Sequence, residues 1–363
     1  MIRLLIVEDS ALMRKLLGQV FSGEGDFEIE FARDGAEALR VISKFRPDVV
    51  TLDIHMPLMD GLTCLDRIML EHPCPVVMVS SLTEEGAEET LAALEIGAVD
   101  FIPKPAGAIS LGIHELIPPL LEKVRMAASV RIRRSRRLVE RVRFAQLAPS
   151  AFESAERYRP ASVSNTKSKS DAEKFGLVLI GASTGGPPAL DSVLASLPAG
   201  FGWPIIVAQH MPASFTGPLA RRLNKLCSMT VTEVTQPIKI EPGNVYIAKG
   251  DADIIISSRA GLLVAMAAPS DQSYRWHPSV DRLVRSALKH VPAANLVGVL
   301  MTGMGNDGAD AMTDLRAAGG YTIAESEETA VVWGMPGELV RLGGASEIKR
   351  VDEIGPLLLE RRG

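Results

Sequence analysis

Two groups of residues have the types and spacing to do chemistry. The first centres on a serine in Gly181-Ala182-Ser183-Thr184-Gly185-Gly186-Pro187-Pro188, directly after the apolar run 177–180. Glycines two before and two after a serine are what a tight strand-to-helix turn needs to expose a hydroxyl. Prolines suit the first turn of the helix that follows. The N–H groups at such a helix start, Thr184 among them, can stabilise an oxyanion. The motif is short, and a plain glycine-rich turn has the same spelling. A serine nucleophile needs a base and an orienting acid. Of the six histidines, His55, His72 and His114 belong to the first third of the chain. His277 sits in a turn-like Trp276-His277-Pro278 stretch, and His290 lies on an amphipathic helical pattern. His210 follows the apolar run 205–208 and so shares the sheet edge expected for Ser183, which makes it the best base. A third run, 296–301, leads into Thr302-Gly303-Met304-Gly305-Asn306-Asp307-Gly308, where Asp307 is the only carboxylate and can orient the imidazole.

That loop also reads another way. Gly303-x-Gly305-x-x-Gly308 is a dinucleotide fingerprint between a strand and a helix, and Glu325 stands near the position of a ribose-binding acid. On this reading the second half is a nicotinamide dinucleotide-binding module. Against it, Asp307 would put a negative charge beside a pyrophosphate, and Ser183 and His210 are left without a purpose. A non-catalytic signalling adaptor is a further alternative.

The second chemical group is acidic. Glu8 and Asp9 follow the apolar run 4–7, Asp53 follows 49–52, Ser80 follows 76–79, and Lys104 follows 99–102. Open parallel sheets place their sites beyond the carboxyl ends of the strands. Three carboxylates converging there repel one another unless a cation sits among them, and all-oxygen ligands at an open, hydrated site suit Mg²⁺. Asp53 could then act as a nucleophile toward a phosphoryl donor, with Lys104 and the Ser80 hydroxyl on the phosphoryl oxygens.

The elements that must position these residues follow from the pattern. In the first domain the buried-strand runs alternate with helical spacing over 11–21, 35–45 and 84–94, which indicates a parallel sheet with helices on both faces. The second domain begins alike with 177–180 and 205–208. It continues with short runs at 231–234, 245–248, 254–257 and 262–265, which read as antiparallel hairpins, then returns to alternation at 296–301 and 321–324. The expected division is residues 1–125, a basic linker 126–174, and 175–363. Their net charges are −10, +7 and −2, and together they give the −5 of the chain. The middle block ends in a Ser/Thr/Lys stretch over 162–170 and carries an arginine cluster over 131–143, a composition unable to bury a core of its own. The overall acidity excludes a chain that neutralises nucleic-acid phosphates along its length. Three cysteines, Cys64, Cys74 and Cys227, are too few for a disulfide framework and fit a reducing compartment. No apolar run approaches a membrane span, and 4–7 before Glu8 is too short for a signal peptide, so a soluble cytoplasmic protein is expected.

Residues 1–122 resemble the receiver domain of two-component response regulators. The resemblance rests on Val7-Glu8-Asp9-Ser10, Leu52-Asp53-Ile54-His55-Met56-Pro57, Asp60-Gly61, Val79-Ser80-Ser81 and Lys104-Pro105. It implies a flavodoxin-like, doubly wound, five-stranded parallel α/β fold with Asp53 as phosphoacceptor. It also implies Mg²⁺ on Glu8, Asp9, Asp53 and the backbone carbonyl of His55, with Ser80 as switch hydroxyl and Phe101 as the aromatic that reorients. His55 stands where Glu is common in close relatives. Residues 175–360 resemble the catalytic domain of chemotaxis protein-glutamate methylesterases, the CheB family. The matching stretches are 180–186, Gln209-His210-Met211-Pro212, His277-Pro278-Ser279-Val280-Asp281, 302–308 and Trp333-Gly334-Met335-Pro336. This implies a second doubly wound, mainly parallel α/β domain with an antiparallel hairpin insertion. It implies Ser183 as nucleophile, His210 as base, Asp307 as orienting acid, the Met304 N–H as oxyanion donor beside Thr184, and no metal for ester hydrolysis. One departure is Ala248-Lys249-Gly250-Asp251, where many relatives carry a proline and a nearby histidine. The expected activity is demethylation of glutamate methyl esters on cytoplasmic helices of chemotaxis receptors, releasing methanol, and deamidation of specific receptor glutamines. A histidine kinase is the expected phosphodonor at Asp53, and the unphosphorylated receiver is expected to pack over the cleft. Neither nucleic acid nor membrane insertion is expected.

Overall fold

A computed structural model of the chain describes residues 1–104, 109–130 and 176–362, for 109–116 and 362 the backbone alone. The arginine cluster 131–143 and the polar stretch 162–170 lie outside these residues. Unbroken apolar runs become strands buried on both faces, and the amphipathic segments between them become helices. The order is β1 (Ile2–Val7), α1 (Ala11–Glu24), β2 (Phe27–Ala32), α2 (Gly35–Phe45), β3 (Val49–Asp53), α3 (Gly61–Glu71), β4 (Val76–Ser80), α4 (Glu84–Ile96), β5 (Asp100–Pro103) and α5 (Ile109–Ser129). The sheet runs β2-β1-β3-β4-β5, with all pairs parallel. At its edge β2 alternates buried Phe27 with exposed Glu28 and Glu30, as a one-sided strand does. The Ser10, Asp34, Asp60 and Thr83 side chains accept N–H groups at the starts of α1 to α4, so each helix begins at a fixed distance beyond the strand before it. Leu4, Ile6, Phe21, Val49 and Val77 pack with Leu120 and Val124 of α5 beneath the sheet.

The second part runs β6 (Leu177–Ala182), α6 (Gly186–Ala195), β7 (Ile205–Gln209), α7 (Ala213–Leu226), β8 (Thr230–Val234), β9 (Ile238–Lys239), β10 (Asn244–Ala248), β11 (Asp253–Arg259), β12 (Leu262–Ala268), α8 (Val280–Leu288), β13 (Leu296–Leu300), α9 (Ala309–Ala317), β14 (Tyr321–Glu325), α10 (Met335–Arg341), β15 (Glu347–Lys349) and α11 (Val351–Arg362). The main sheet, β15-β14-β13-β6-β7-β10-β8, is parallel throughout. Among the described residues only β11, β12 and β9 form an antiparallel sheet. The insertion is therefore narrower than the four short runs suggest, because β8 and β10 join the main sheet. Turn residues flank β10 as they would a hairpin strand, but it is buried on both faces between β7 and β8, which is the environment of a parallel strand.

The described residues up to 130 and those from 176 onward form one compact unit. Across it, the Phe101 ring of β5 stacks on Phe215 of α7 with centroids 4.4 Å apart. Arg222 of α7 bridges Asp191 of α6 and Glu95 of α4. No described helix is long and apolar enough to cross a membrane.

Candidate active site

In the main sheet the chain leaves β6 toward β7 on one side and later returns to β13 on the other, so the strand order reverses beside β6. A crevice opens at the carboxyl end of such a switch point. Ser183 is the first residue past β6, and His210 is the first past the neighbouring β7. The His210 N–H donates to the Ala182 carbonyl at 2.9 Å, and the Ser183 N–H donates to the Thr302 carbonyl at 3.0 Å. The Gln209 amide donates to the carbonyls of Ser183 (2.9 Å) and His210 (3.2 Å), tying the two turns together. Gly185 makes the turn into α6 at φ +76°, and a side chain there would meet Val331. The three segments named for a serine, a histidine and an acid thus meet at one rim.

Asp307 reaches that rim from the loop after β13. His210 Nε2 lies 2.8 Å from Asp307 Oδ2, and both side chains are nearly fully buried. The rest of the carboxylate is held by the start of α8. Ser279 Oγ donates to Oδ1 at 3.0 Å, the Asp281 N–H to Oδ1 at 3.1 Å and the Val280 N–H to Oδ2 at 2.7 Å. Burial alone would raise the Asp307 pKa. The His210 hydrogen bond and charge, with the Val280 and Asp281 N–H groups, outweigh it and hold the carboxyl below its usual range. An ionised Asp307 can only accept, so Nε2 carries the hydrogen of this bond and a neutral ring has its lone pair on Nδ1, which is buried without a hydrogen-bond partner among the described residues. Trp276 lies parallel to the imidazole, 3° between planes and 5.8 Å between centroids.

Neither the α8 socket nor Trp276 has an assigned role in the sequence reading. Ser279 before an apolar-periodic stretch is an N-cap signal, and it does cap the Arg282 N–H, but its second partner, Asp307, is 28 residues away. His277 is explained by structure: its Nδ1 is 3.0 Å from buried Asp253, which also pairs with Arg282 and accepts the Ser279 N–H. The divergent stretch after β10 serves the histidine loop. Asp251 accepts the Ala213 N–H at 3.1 Å, and the Gly250 N–H reaches Thr216 Oγ1, fixing the start of α7 just beyond His210.

The oxyanion candidates flank the serine. Met304 is half-buried in the loop after β13, and Thr184 is buried in the turn after β6. The Thr184 hydroxyl is spent elsewhere, on Asp100 of β5. The glycines of the 303–308 loop are accounted for by packing. Side chains at its glycines would strike Met335 and Ser183 at Gly303, Trp276 at Gly305, and Val280 at Gly308, while its acid faces His210.

At the first sheet, carboxylate oxygens of Glu8, Asp9 and Asp53 lie within 4.8 Å of one another. Lys104 Nζ is 2.7 Å from Asp53 Oδ2 and 3.1 Å from Glu8 Oε2. Burial, then the charge of Asp53, push Glu8 up to about 7 against the pull of Lys104. One ammonium against three carboxylates leaves an anionic, all-oxygen cluster, and its donor chemistry fits Mg²⁺. The His55 N–H donates to Asp53 Oδ1 at 3.3 Å, and its ring turns outward to Glu89 at 3.2 Å. Ser80 Oγ donates to the Gly86 carbonyl at 3.0 Å.

A family model described as CheB methylesterase matches residues 178–358, and one described as response regulator receiver domain matches residues 4–112. The chain is 55% identical over 361 residues to a Rhodopseudomonas palustris (strain BisB18) protein named protein-glutamate methylesterase/protein-glutamine glutaminase 2, covering 99% of this chain and 98% of that one. It is 55% identical over 346 residues to protein-glutamate methylesterase/protein-glutamine glutaminase 3 of Rhodospirillum rubrum, covering 95% and 92%. Among solved structures, the Thermotoga maritima CheB methylesterase catalytic domain superposes with a TM-score of 0.50 at 36% identity, covering 52% of this chain and 98% of that one.

Proposed function

The chain belongs to the CheB methylesterase family, with a response-regulator receiver domain ahead of the catalytic one, and from that premise we propose that it hydrolyses glutamate γ-methyl esters on cytoplasmic helices of chemoreceptors. The observation that carries this reading is the His210–Asp307 pair, with Nδ1 left open at the strand edge that Ser183 shares. His210 Nδ1 accepts the Ser183 proton as the serine oxygen attacks the ester carbonyl. The N–H groups of Met304 and Thr184 receive the developing negative oxygen. His210 returns the proton to the methoxide, methanol leaves, and the acyl-enzyme remains. Water attacks the acyl carbon in turn, giving a proton to His210; the bond to the Ser183 oxygen breaks, His210 passes that proton to it, and glutamate and free Ser183 result. A receptor glutamine would form the same acyl-enzyme and release ammonia, so deamidation needs no further machinery. The positive charge that His210 acquires is balanced by Asp307, whose carboxyl is held below its usual range by His210 itself and then by the Val280 and Asp281 N–H groups of α8.

The receiver supplies the control. Asp53 is the proposed phosphoacceptor for a histidine kinase; Glu8, Asp9, Asp53 and the His55 backbone carbonyl would hold Mg²⁺. The ion would neutralise charge on the incoming phosphoryl group. Lys104 then pairs with a phosphoryl oxygen, and Ser80 exchanges Gly86 for another. Phe101 turns into the space that Ser80 vacates and releases Phe215, which loosens the receiver from α7. The test is methanol release from a methylated receptor fragment, which Ser183→Ala should abolish.

A further inference from the structure

Glu325, at the end of β14, is almost completely buried, and no step above uses it. Its side chain does what a strand would otherwise do. β13 and β14 keep parallel register as far as Leu300 and Ala324. Beyond that point the chains diverge, and the Thr302 N–H loses its strand partner. Glu325 takes the partner's place: Oε2 accepts the Thr302 N–H at 2.8 Å, and Oε1 accepts the Thr329 hydroxyl at 2.9 Å. Burial pushes this carboxyl up to about 7, opposed only by those two hydrogen bonds. A buried acid without a countercharge is costly, so its place demands a reason.

Thr302 is the reason. Its carbonyl accepts the Ser183 N–H at 3.0 Å. Its hydroxyl donates to the Thr184 carbonyl at 2.9 Å and accepts the Val332 N–H at 3.0 Å. The next residue, Gly303, is held by the Val332 carbonyl at 3.0 Å, and Met304 follows. One threonine therefore joins the nucleophile turn to the loop that carries the other oxyanion donor, and Glu325 fixes that threonine's backbone.

We propose that Glu325 is a positioning residue of the oxyanion site, holding the Thr302–Gly303–Met304 backbone at the spacing from Thr184 that the tetrahedral oxygen needs. This rests on the methylesterase reading. The test uses the full chain, a methylated receptor fragment with methanol release as the readout, and amide hydrogen exchange at Thr302. Glu325→Leu, similar in size but without an acceptor, should lower kcat by ~10- to 100-fold with KM within ~threefold, and speed Thr302 exchange. Glu325→Gln keeps the acceptor and should hold kcat within ~threefold and preserve the slow exchange. Should Glu325→Leu fail to fold, Glu325→Asp, which pulls the acceptor back by one methylene, should lower kcat by ~10-fold at unchanged KM. The proposal is overturned if the Leu or Asp variant keeps wild-type kcat, if Gln falls as far as Leu, if the loss appears in KM alone, or if Thr302 exchange ignores the substitution. A wild-type chain that releases no methanol overturns the underlying reading instead, an outcome distinct from all of these.

Discussion

Asp307 has every one of its strong acceptor positions used: two by backbone N–H groups, one by Ser279, one by His210. Its charge is needed to fix one imidazole tautomer, not merely to fill space. Asp307→Asn should therefore lower kcat by ~10³- to 10⁴-fold with little change in KM, measured by steady-state methanol release. A loss below ~tenfold would mean that His210 is oriented by something else. Glu325 gives a prediction of opposite sign in stability. Its pKa is raised from 4.5 to about 7 on folding. The folded chain thus keeps a proton that the unfolded chain has released, so this group's contribution is most favourable below about 4.5 and is lost as pH rises toward 7. Glu325→Gln should accordingly melt above wild type at pH 8, by the equivalent of about 3 kcal/mol, and lose most of that advantage at pH 5. Equal melting differences at the two pH values would contradict the burial argument.

Helix α8 shows how an element can act as a ligand. Its capped N-terminus and free N–H groups form a socket for the Asp307 carboxylate. Ser279→Ala removes both the cap bond to the Arg282 N–H and the donor to Asp307. It should cost about 1 kcal/mol of stability in denaturant titration and lower kcat by ~10-fold. An unchanged kcat with the stability loss would reduce Ser279 to a cap. The sequence reveals elements where burial makes the pattern one-sided. β4, β6, β7 and β13 carry apolar runs, as do β1 from Leu4 onward and β3 with Thr51 as its one polar residue before Asp53, because both faces are covered, and the residues at their ends could be named. β8 and β10 were misread because Gly and Pro punctuation around short strands looks the same in a hairpin and in a crossover. The serine, histidine and acid were readable because each directly follows a strand or sits in its loop. The α8 socket, the Trp276 stack and the Thr302 hub were not, since each joins residues far apart in sequence whose local patterns are ordinary.

At the scale of the molecule, β5 of the receiver touches the catalytic half twice: Phe101 stacks on Phe215, and Asp100 holds the Thr184 hydroxyl beside Ser183. Asp100 is in turn paired with Lys123 of α5 at 2.9 Å. These contacts place β5 next to the Ser183 turn and next to α7, which starts three residues after His210. On the proposed regulation, phosphorylation would act by shifting a balance between closed and open arrangements. Because the acidic cluster fits Mg²⁺, a chelator should remove stimulation by a small acyl phosphate while leaving unstimulated turnover intact; a chelator that stops both would place a metal in the ester chemistry itself. The central claim, a serine hydrolase under receiver control, is tested most directly by methanol release from a methylated receptor fragment, with and without the acyl phosphate. Wild type should turn over and accelerate, Asp53→Ala should turn over without accelerating, and Ser183→Ala should release nothing under either condition. Methanol release by Ser183→Ala at the wild-type rate would contradict it.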